Sequence, residues 1–505
     1  MAPNYRLIQY LFIIVLCLQK NQIVGSSHDV NNKSKSHIRY FIDQYFINNS
    51  RAKMITNIEV EADDFIKQIR EITNTIPETN NIYDLTQAAS VGITYNKFQQ
   101  FWNDELSQAY TLKQTLKNVE KLLDKGRQKR LKKLANQAFT FGNPFQGCSK
   151  DPYPSSGSKT IKTFKVNLDA EPEERWKEVV QQNSAQIKKL ADFFEQKLGP
   201  NVMSVIDTSL IWLHRSLPSE YYRELNGLSL ASGISVARVT LYNVFYEFFT
   251  FCTSIVMEAE NGNMYHGRNL DFGLFMGWDA NNHTWFITEI LRPLIIKIDF
   301  VKNGKPLYSA VTYAGYTGIL TGVKKNSFSL SIDERFMLDG GYVGLAEWIL
   351  GIRDSSWLGL LTRRVMESAS TYKEAQQMLT HTPLVAPVYF ILAGTSQQGS
   401  IITRGRRDAD VWPLGSRHKQ QNGSWFLVQT NYDHWKGTPF FDHRRQHAVQ
   451  CMDEIGQQKP LETLYRVLST RPILNKETTL TAVMDVKEGL LEVWERDCKD
   501  PCWPF

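Results

Sequence analysis

Phe248-Phe249-Thr250-Phe251-Cys252-Thr253-Ser254-Ile255-Val256 is the stretch on which the reading of this chain turns. Apolar residues crowd its front (Val244, Phe245, Tyr246, Phe248, Phe249, Phe251), and the β-branched Thr253, Ile255 and Val256 follow the cysteine. β-Branched side chains fit a pleated, packed surface, so a buried strand is predicted to open at Cys252. A turn and a short strand later comes His266-Gly267-Arg268-Asn269-Leu270-Asp271-Phe272. A thiol opening a buried strand, with a guanidinium and a carboxylate downstream, is a candidate catalytic constellation.

The chain has 505 residues, 42% of them hydrophobic and 22% charged, which is ordinary globular composition and enough for two or three domains. Residues 7–18 form a long, nearly uncharged apolar run preceded by Arg6 and followed by Val24-Gly25-Ser26. That pattern predicts a secretory signal over residues 1–26, too short for a membrane span. Sequons at Asn32, Asn48, Asn282 and Asn422 suit a glycosylated chain in that route. The net charge is +6, a slight excess that favours an anionic membrane surface in an acidic compartment.

The cysteines fit an oxidising compartment. Cys17 leaves with the signal, and Cys148, Cys252, Cys451, Cys498 and Cys502 remain. An odd number leaves one thiol over. Cys498 and Cys502 lie in Cys-Lys-Asp-Pro-Cys, where a Pro-bearing turn can join them; Cys148 and Cys451 can then pair, leaving Cys252. A buried inert thiol and a nucleophile both satisfy that count. No His or Cys completes a four-ligand metal site beside the terminal pair, and neither HExxH nor a phosphate-binding glycine loop occurs. Neither a metal, another cofactor nor a nucleic-acid partner is expected.

Residues 27–147 are polar and free of cysteine. Leu112, Leu116, Val119 and Leu123 recur at helical spacing and predict one long amphipathic helix there. Arg127-Gln128-Lys129-Arg130 reads as a processing site, so this helical N-terminal extension reads as a pro-region. A loop rich in Gly, Pro and Ser (residues 142–158) marks a boundary. Beyond it a strand is expected over 161–167, and helices over 172–198, 201–215 and 236–250. From Cys252 on, short strands dominate: CTSIVM, MYHGR, TWFITE, LIIKIDFV, PLYSAVTY, SFSLSI, PVYFILAG, GSIITR, WFLVQTN, TLTAVMDV and GLLEVWE. Helices over 343–351, 356–368 and 372–380 interrupt them. Strands and helices in separate blocks predict an α+β fold of two stacked antiparallel sheets flanked by helices.

If Cys252 is a nucleophile, something must take its proton. His266, within a strand, reads as a satisfied core histidine. A chain cut before Cys252 needs no histidine, because the new α-amine titrates near neutrality within reach of its own sulfur.

CTSIV, HGRNLDF, NNHTW, ERFMLDGGYVGLAEWILG, QTNYDHWK, DHRRQ and the terminal DPC together resemble the acid ceramidase family over about residues 148–505. The N-acylethanolamine-hydrolysing acid amidases share CTSIV, HGRNLD and TNYDHWK. The resemblance implies an N-terminal-nucleophile hydrolase with an αββα sandwich. The precursor then cuts itself between Phe251 and Cys252 into an α chain (148–251) and a β chain (252–505). By the same resemblance Cys252 is the nucleophile, with Arg268 beside it. Asp271 orients the α-amine, Asn431 donates to the oxyanion, and Arg444 is a further site arginine. The two pairings, Cys148–Cys451 across the chains and Cys498–Cys502, are implied too.

The reaction implied is hydrolysis of ceramide, or another N-acyl lipid, to sphingosine and a fatty acid. It proceeds in the lysosome or after secretion, with help from saposin-type activators. An N-acylethanolamine amidase, a catalytically silent lipid-binding homologue and ceramide synthesis by the same site in reverse are the alternatives. Phe272, Phe275, Trp278 and Trp285 are candidates for an apolar rim that meets the lipid.

Overall fold

The computed structural model describes residues 145–153, 161–198, 203, 207, 217–245, 251–272, 278–279, 281–335, 354–415, 425–439 and 442–503. These residues belong to one compact unit. The expected signal, the extension up to residue 144 with its long helix and processing site, the helix over 201–215 apart from residues 203 and 207, the helix over 343–351, and Asn32, Asn48 and Asn422 lie outside them.

Two sheets build the core. The larger holds eight strands in the order β1-β6-β7-β8-β9-β10-β11-β12. These are β1 (Thr163–Asn167), β6 (Ile295–Lys302), β7 (Lys305–Tyr313), β8 (Thr321–Lys324), β9 (Phe328–Glu334), β10 (Val388–Ala393), β11 (Gly399–Arg404) and β12 (Ala409–Pro413). The smaller holds five, β13-β2-β3-β14-β15: β13 (Phe426–Gln429), β2 (Phe251–Glu258), β3 (Met264–Asp271), β14 (Thr478–Asp485) and β15 (Leu490–Glu495). A separate two-stranded ribbon pairs β4 (Trp278–Asp279) with β5 (Thr284–Trp285). All pairings are antiparallel except β1 with β6.

The helices are α1 (Lys177–Leu198), α2 (Ser219–Ser232), α3 (Val236–Phe245), α4 (Phe286–Leu291), α5 (Leu358–Ser368), α6 (Tyr372–His381), α7 (Arg444–Ile455) and α8 (Pro460–Ser469). α8 lies on β3, β14 and β2, and α7 beside β13; α5 and α6 cover β7, β8, β10 and β11. The two sheets face each other through β2 against β9, β10 and β11, so the layers run α, β, β, α as expected.

β2 is buried on both faces and therefore carries no polar–apolar alternation. Its period of two still decides function. Ile255 and Met257 point to the helix layer, where Leu464, Leu468 and Met452 pack on them. Val256 points the other way, into a cluster with Tyr389, Ile391 and Ile401 of the larger sheet. Cys252 and Ser254 share the parity of Val256 and so face the space between the sheets. On β3, Gly267 allows α8 to seat closely: a Cβ there would stand 3.0 Å from Leu468 and 3.1 Å from Leu464.

Several elements differ from expectation. TWFITE is extended only at Thr284–Trp285; Phe286–Leu291 is helical, because Ile287, Thr288 and Leu291 are buried at helical spacing. α2, α7, α8, β8 and β12 lie in stretches for which the sequence predicts no element. Phe272 and Trp285 are fully buried, so neither is part of a lipid-facing rim. Their aromatic surface is spent in the core, as is usual for large apolar side chains. Phe275 and the side chain of Trp278 are outside the described residues.

Candidate active site

Both predicted disulfides are present, Cys148–Cys451 and Cys498–Cys502. Among the described residues Cys252 is the free cysteine, and it is fully buried. Phe251 and Cys252 are consecutive in β2.

The motif HGRNLD distributes its side chains by strand parity. His266, Arg268 and Leu270 lie on the inter-sheet face, while Gly267 and Asn269 meet the helix layer. Asn269 Nδ2 donates to the carbonyls of Leu468 and Ile473 at 2.8 and 3.1 Å, closing the C-terminal end of α8. His266 sits between Ser329 and Ser331, its nitrogens 3.0 and 2.9 Å from their hydroxyls. It is the satisfied core histidine the sequence suggests. Burial pushes it down to about 3, with Arg268 adding to the shift, so it stays neutral.

Arg268 crosses from β3 to the larger sheet. Its Nη1 donates to Thr321 Oγ1 at 2.6 Å and to the Leu320 carbonyl at 3.2 Å. Its Nη2 donates to Cys252 Sγ at 2.6 Å and to the Ile332 carbonyl at 3.3 Å. The guanidinium is fully buried, so its charge acts in a medium that screens little. Burial pushes the Cys252 thiol well above its ordinary value, and Arg268 is the strongest opposing influence. In the uncut chain the thiol is therefore held protonated.

Arg444 approaches Cys252 from the helix side. It opens α7, and its Nη1 donates at 3.0 Å both to the Cys252 carbonyl and to Asp271 Oδ2. Its Nη2 reaches Asn431 Oδ1 at 2.9 Å, and Asp442 holds it with two bonds, at 2.9 and 2.8 Å. Asn431 Oδ1 accepts the Cys252 N–H at 2.8 Å, while its Nδ2 donates to the Glu334 carbonyl at 2.8 Å. The amide thus turns its oxygen, not its N–H, toward the cysteine nitrogen. Asp271 reaches this group through Arg444. Burial raises Asp271 to about 6, against the pull of Arg444, Thr478 and Arg268. Arg445 turns elsewhere: its ring contact is Tyr432, 3.9 Å from the ring centre.

The structure thus gathers Arg268, Asp271, Asn431 and Arg444 around one residue, Cys252, from positions up to 192 residues away. Sequence reasoning missed Asp333 and Asp442. Asp442 stands two residues before Arg444 in the quoted DHRRQ. Asp333 ends Ser329-Leu330-Ser331-Ile332-Asp333, a polar stripe at period two that turns toward Ser254 and Arg268. That stripe on a strand buried on both faces is the signal that could have found it.

Asn282, in the described sequon, sits exposed on the turn between β4 and β5, its side chain bonded to Asp279 at 2.7 Å. No group of residues able to hold a metal ion occurs among the described residues. No described helix is long and apolar enough to cross a membrane.

Comparison with known proteins follows the same lines. A model of linear amide C–N hydrolases, choloylglycine hydrolase family, matches residues 252–488 and so begins at the cysteine. A model described as the beta subunit of N-acylethanolamine-hydrolyzing acid amidase matches residues 159–217. The acid ceramidases of Mus musculus and Homo sapiens are each 42% identical over 368 residues, covering 71% of this chain and 92% of theirs. A solved structure of the Caenorhabditis elegans N-acylethanolamine-hydrolyzing acid amidase ortholog is 34% identical. It covers 48% of this chain and 100% of its own, with a TM-score of 0.40.

Proposed function

The chain belongs to the acid ceramidase family and is a carbon–nitrogen amide hydrolase, and from that premise we propose a self-cleaving cysteine enzyme that hydrolyses ceramide. The observation that carries the proposal is the double grip on Cys252: Arg268 Nη2 lies 2.6 Å from its sulfur and Asn431 Oδ1 lies 2.8 Å from its nitrogen.

In the first reaction Cys252 Sγ attacks the Phe251 carbonyl. The peptide C–N bond breaks, the nitrogen takes the thiol proton, and a thioester forms. Water hydrolyses it, leaving a carboxylate on Phe251 and an α-amine on Cys252. Residues 148–251 and 252–505 become the α and β chains. The Cys148–Cys451 disulfide and the pairing of β1 with β6 span the cut and hold the pieces together.

In the second reaction the α-amine is the general base. A free α-amine titrates at about 8 in model compounds, so it accepts a thiol proton far more readily than a lysine. Asn431 Oδ1 orients it, and Asp271 acts on the same group through Arg444. Arg268 stabilises the thiolate. The sulfur attacks the fatty-amide carbonyl, sphingosine leaves with the proton, and water releases the fatty acid from the acyl-enzyme. Asn431 Nδ2 gives one N–H to the Glu334 carbonyl, and its second N–H is the donor to the oxyanion. Lysosomal or secreted placement, saposin-type activators and an anionic lipid surface go with this reading.

N-terminal sequencing of the protein after incubation at acidic pH tests it. A piece beginning Cys-Thr-Ser-Ile that hydrolyses ceramide supports the proposal. A chain that stays whole in a protein active on lipid amides would rule out the α-amine base. A strong preference for palmitoylethanolamide over ceramide would give the chain the substrate of the N-acylethanolamine amidases, one family model of which also matches it.

A further inference from the structure

Asp333 has no role in the two reactions above, yet it stands against their central arginine. It is fully buried on β9, and with Ser329 and Ser331 it faces β2 and β3. Its Oδ1 accepts the Ser254 hydroxyl at 2.7 Å and lies 3.8 Å from Arg268 Nη2. Its Oδ2 has no hydrogen-bond partner among the described residues. A buried carboxylate with an unmatched oxygen is easier to hold neutral than ionised.

Arg268 is thus placed between two groups that can become anions, the Cys252 sulfur at 2.6 Å and Asp333 at 3.8 Å. One guanidinium fully compensates one of them. We propose that Asp333 is a positioning residue that sets the alkaline limit of the amidase: neutral in acid, it leaves Arg268 to the sulfur, and once ionised it draws that charge away and keeps the thiol protonated. The inference rests on Cys252 as the nucleophile.

The charged and titratable groups around Asp333 come from four elements. β2 brings Cys252; β3 brings His266, Arg268 and Asp271; α7 brings Arg444; β10 brings Tyr389 directly opposite in register. His266 stays neutral over the working range. Arg444 is occupied by Asp442 and Asp271. The Tyr389 hydroxyl donates to Asp433 at 2.7 Å and is held protonated by burial. Asp271 titrates on the far side of the cysteine, against Arg444. Asp333 itself is pushed up to about 7, by burial against the pull of Arg268 and Ser254. Its ionisation therefore falls near neutrality, above the pH of an acidic compartment, and a negative charge there raises the thiol further.

The test uses the full-length secreted protein after acid incubation. Two profiles are recorded from pH 4 to 9: kcat/KM on a fluorogenic fatty-acyl amide, and the rate of Cys252 alkylation by iodoacetamide read by peptide mass spectrometry. Asp333→Asn should move the alkaline limb of both upward by about one pH unit, giving about a tenfold gain there, with the acid side in place. Ser254→Ala, which removes a bond favouring the carboxylate, should move the limb the same way by less. Superimposed profiles, or a uniform loss at every pH, overturn the inference. If Asp333→Asn fails to mature, the Ser254→Ala profile decides by the same criterion. N-terminal sequencing of the wild type separates the two failures. Without a Cys-Thr-Ser-Ile piece the proposed function itself falls; with it and unmoved profiles, only the role of Asp333 does.

Discussion

Replacing Arg268 by glutamine removes the one guanidinium bonded to the Cys252 sulfur and leaves a shorter, neutral, polar side chain. The loss can be sized from the 2.6 Å separation of Nη2 and Sγ. Two unit charges at that distance, in an effective dielectric of about 20, interact by about 6 kcal/mol. Relaxation and bonds from the new amide recover part of this. About 4 kcal/mol of lost thiolate stabilisation corresponds to about a thousandfold slower attack. Both proposed reactions use the same sulfur, so both should slow. Arg268→Lys should recover only part of the rate. A lysine is a point charge and cannot serve Thr321, Leu320, Ile332 and the sulfur together, as the fork does. The assay is the appearance of the Cys252-started piece over time at acidic pH, by gel and mass spectrometry, with circular dichroism to confirm the fold. Self-cleavage of Arg268→Gln at the wild-type rate in a folded protein would refute the reasoning.

Arg444→Ala leaves Asp271 and Asp442 buried beside an empty space, so the uncut protein should lose about 3–5 kcal/mol, measured by denaturant unfolding in a Cys252→Ala background. In the same background stability should fall between pH 5 and pH 7. Asp271 and Asp333 are raised in the fold from 3.8 to about 6 and about 7, so the unfolded chain ionises first and the penalty grows as pH rises through this range. His266, lowered from 6.5 to about 3, works the other way below 6.5, and these three groups together contribute a loss of about 2 kcal/mol from pH 5 to pH 7; a higher unfolding midpoint at pH 7 would count against these shifts. The matured protein should run as one band on a non-reducing gel and as two after reduction, since Cys148–Cys451 spans the cut; two bands without reductant would contradict that linkage. Gly227→Ala should lower the melting temperature, because its Cβ would sit 2.0 Å from the Glu173 carbonyl oxygen, a backbone atom that cannot swing away; an unchanged melting temperature would argue against that contact.

Much of the fold was legible in the chain, and the reason is local. β-Branched and aromatic runs of six to nine residues, bounded by turns, read as strands from their composition and length, as in β2, β7 and β10. The errors came where local pattern and tertiary burial part. In TWFITE a β-rich composition reads as a strand, but Ile287 and Leu291 bury together only in a helix. The aromatic Phe272 and Trp285 look alike whether they line a rim or fill a core, and burial alone separates the two.

The site divides in the same way. By itself the sequence determined which groups are available: a cysteine opening a strand, its leftover place in the cysteine count, and the motifs HGRNLDF, QTNYDHWK and DHRRQ. Chemistry is written in residue types, and those survive without coordinates. Tertiary structure decided how they are shared. It turned Arg268 to the sulfur from between the sheets and brought Arg444 to the carbonyl from the helix side. It turned the oxygen of Asn431 to the nitrogen and set Asp333 in competition for Arg268. These contacts join residues from different strands and helices across the fold. No local preference of the chain encodes them, because they follow from which strand face meets which sheet and from how much water is excluded when it does.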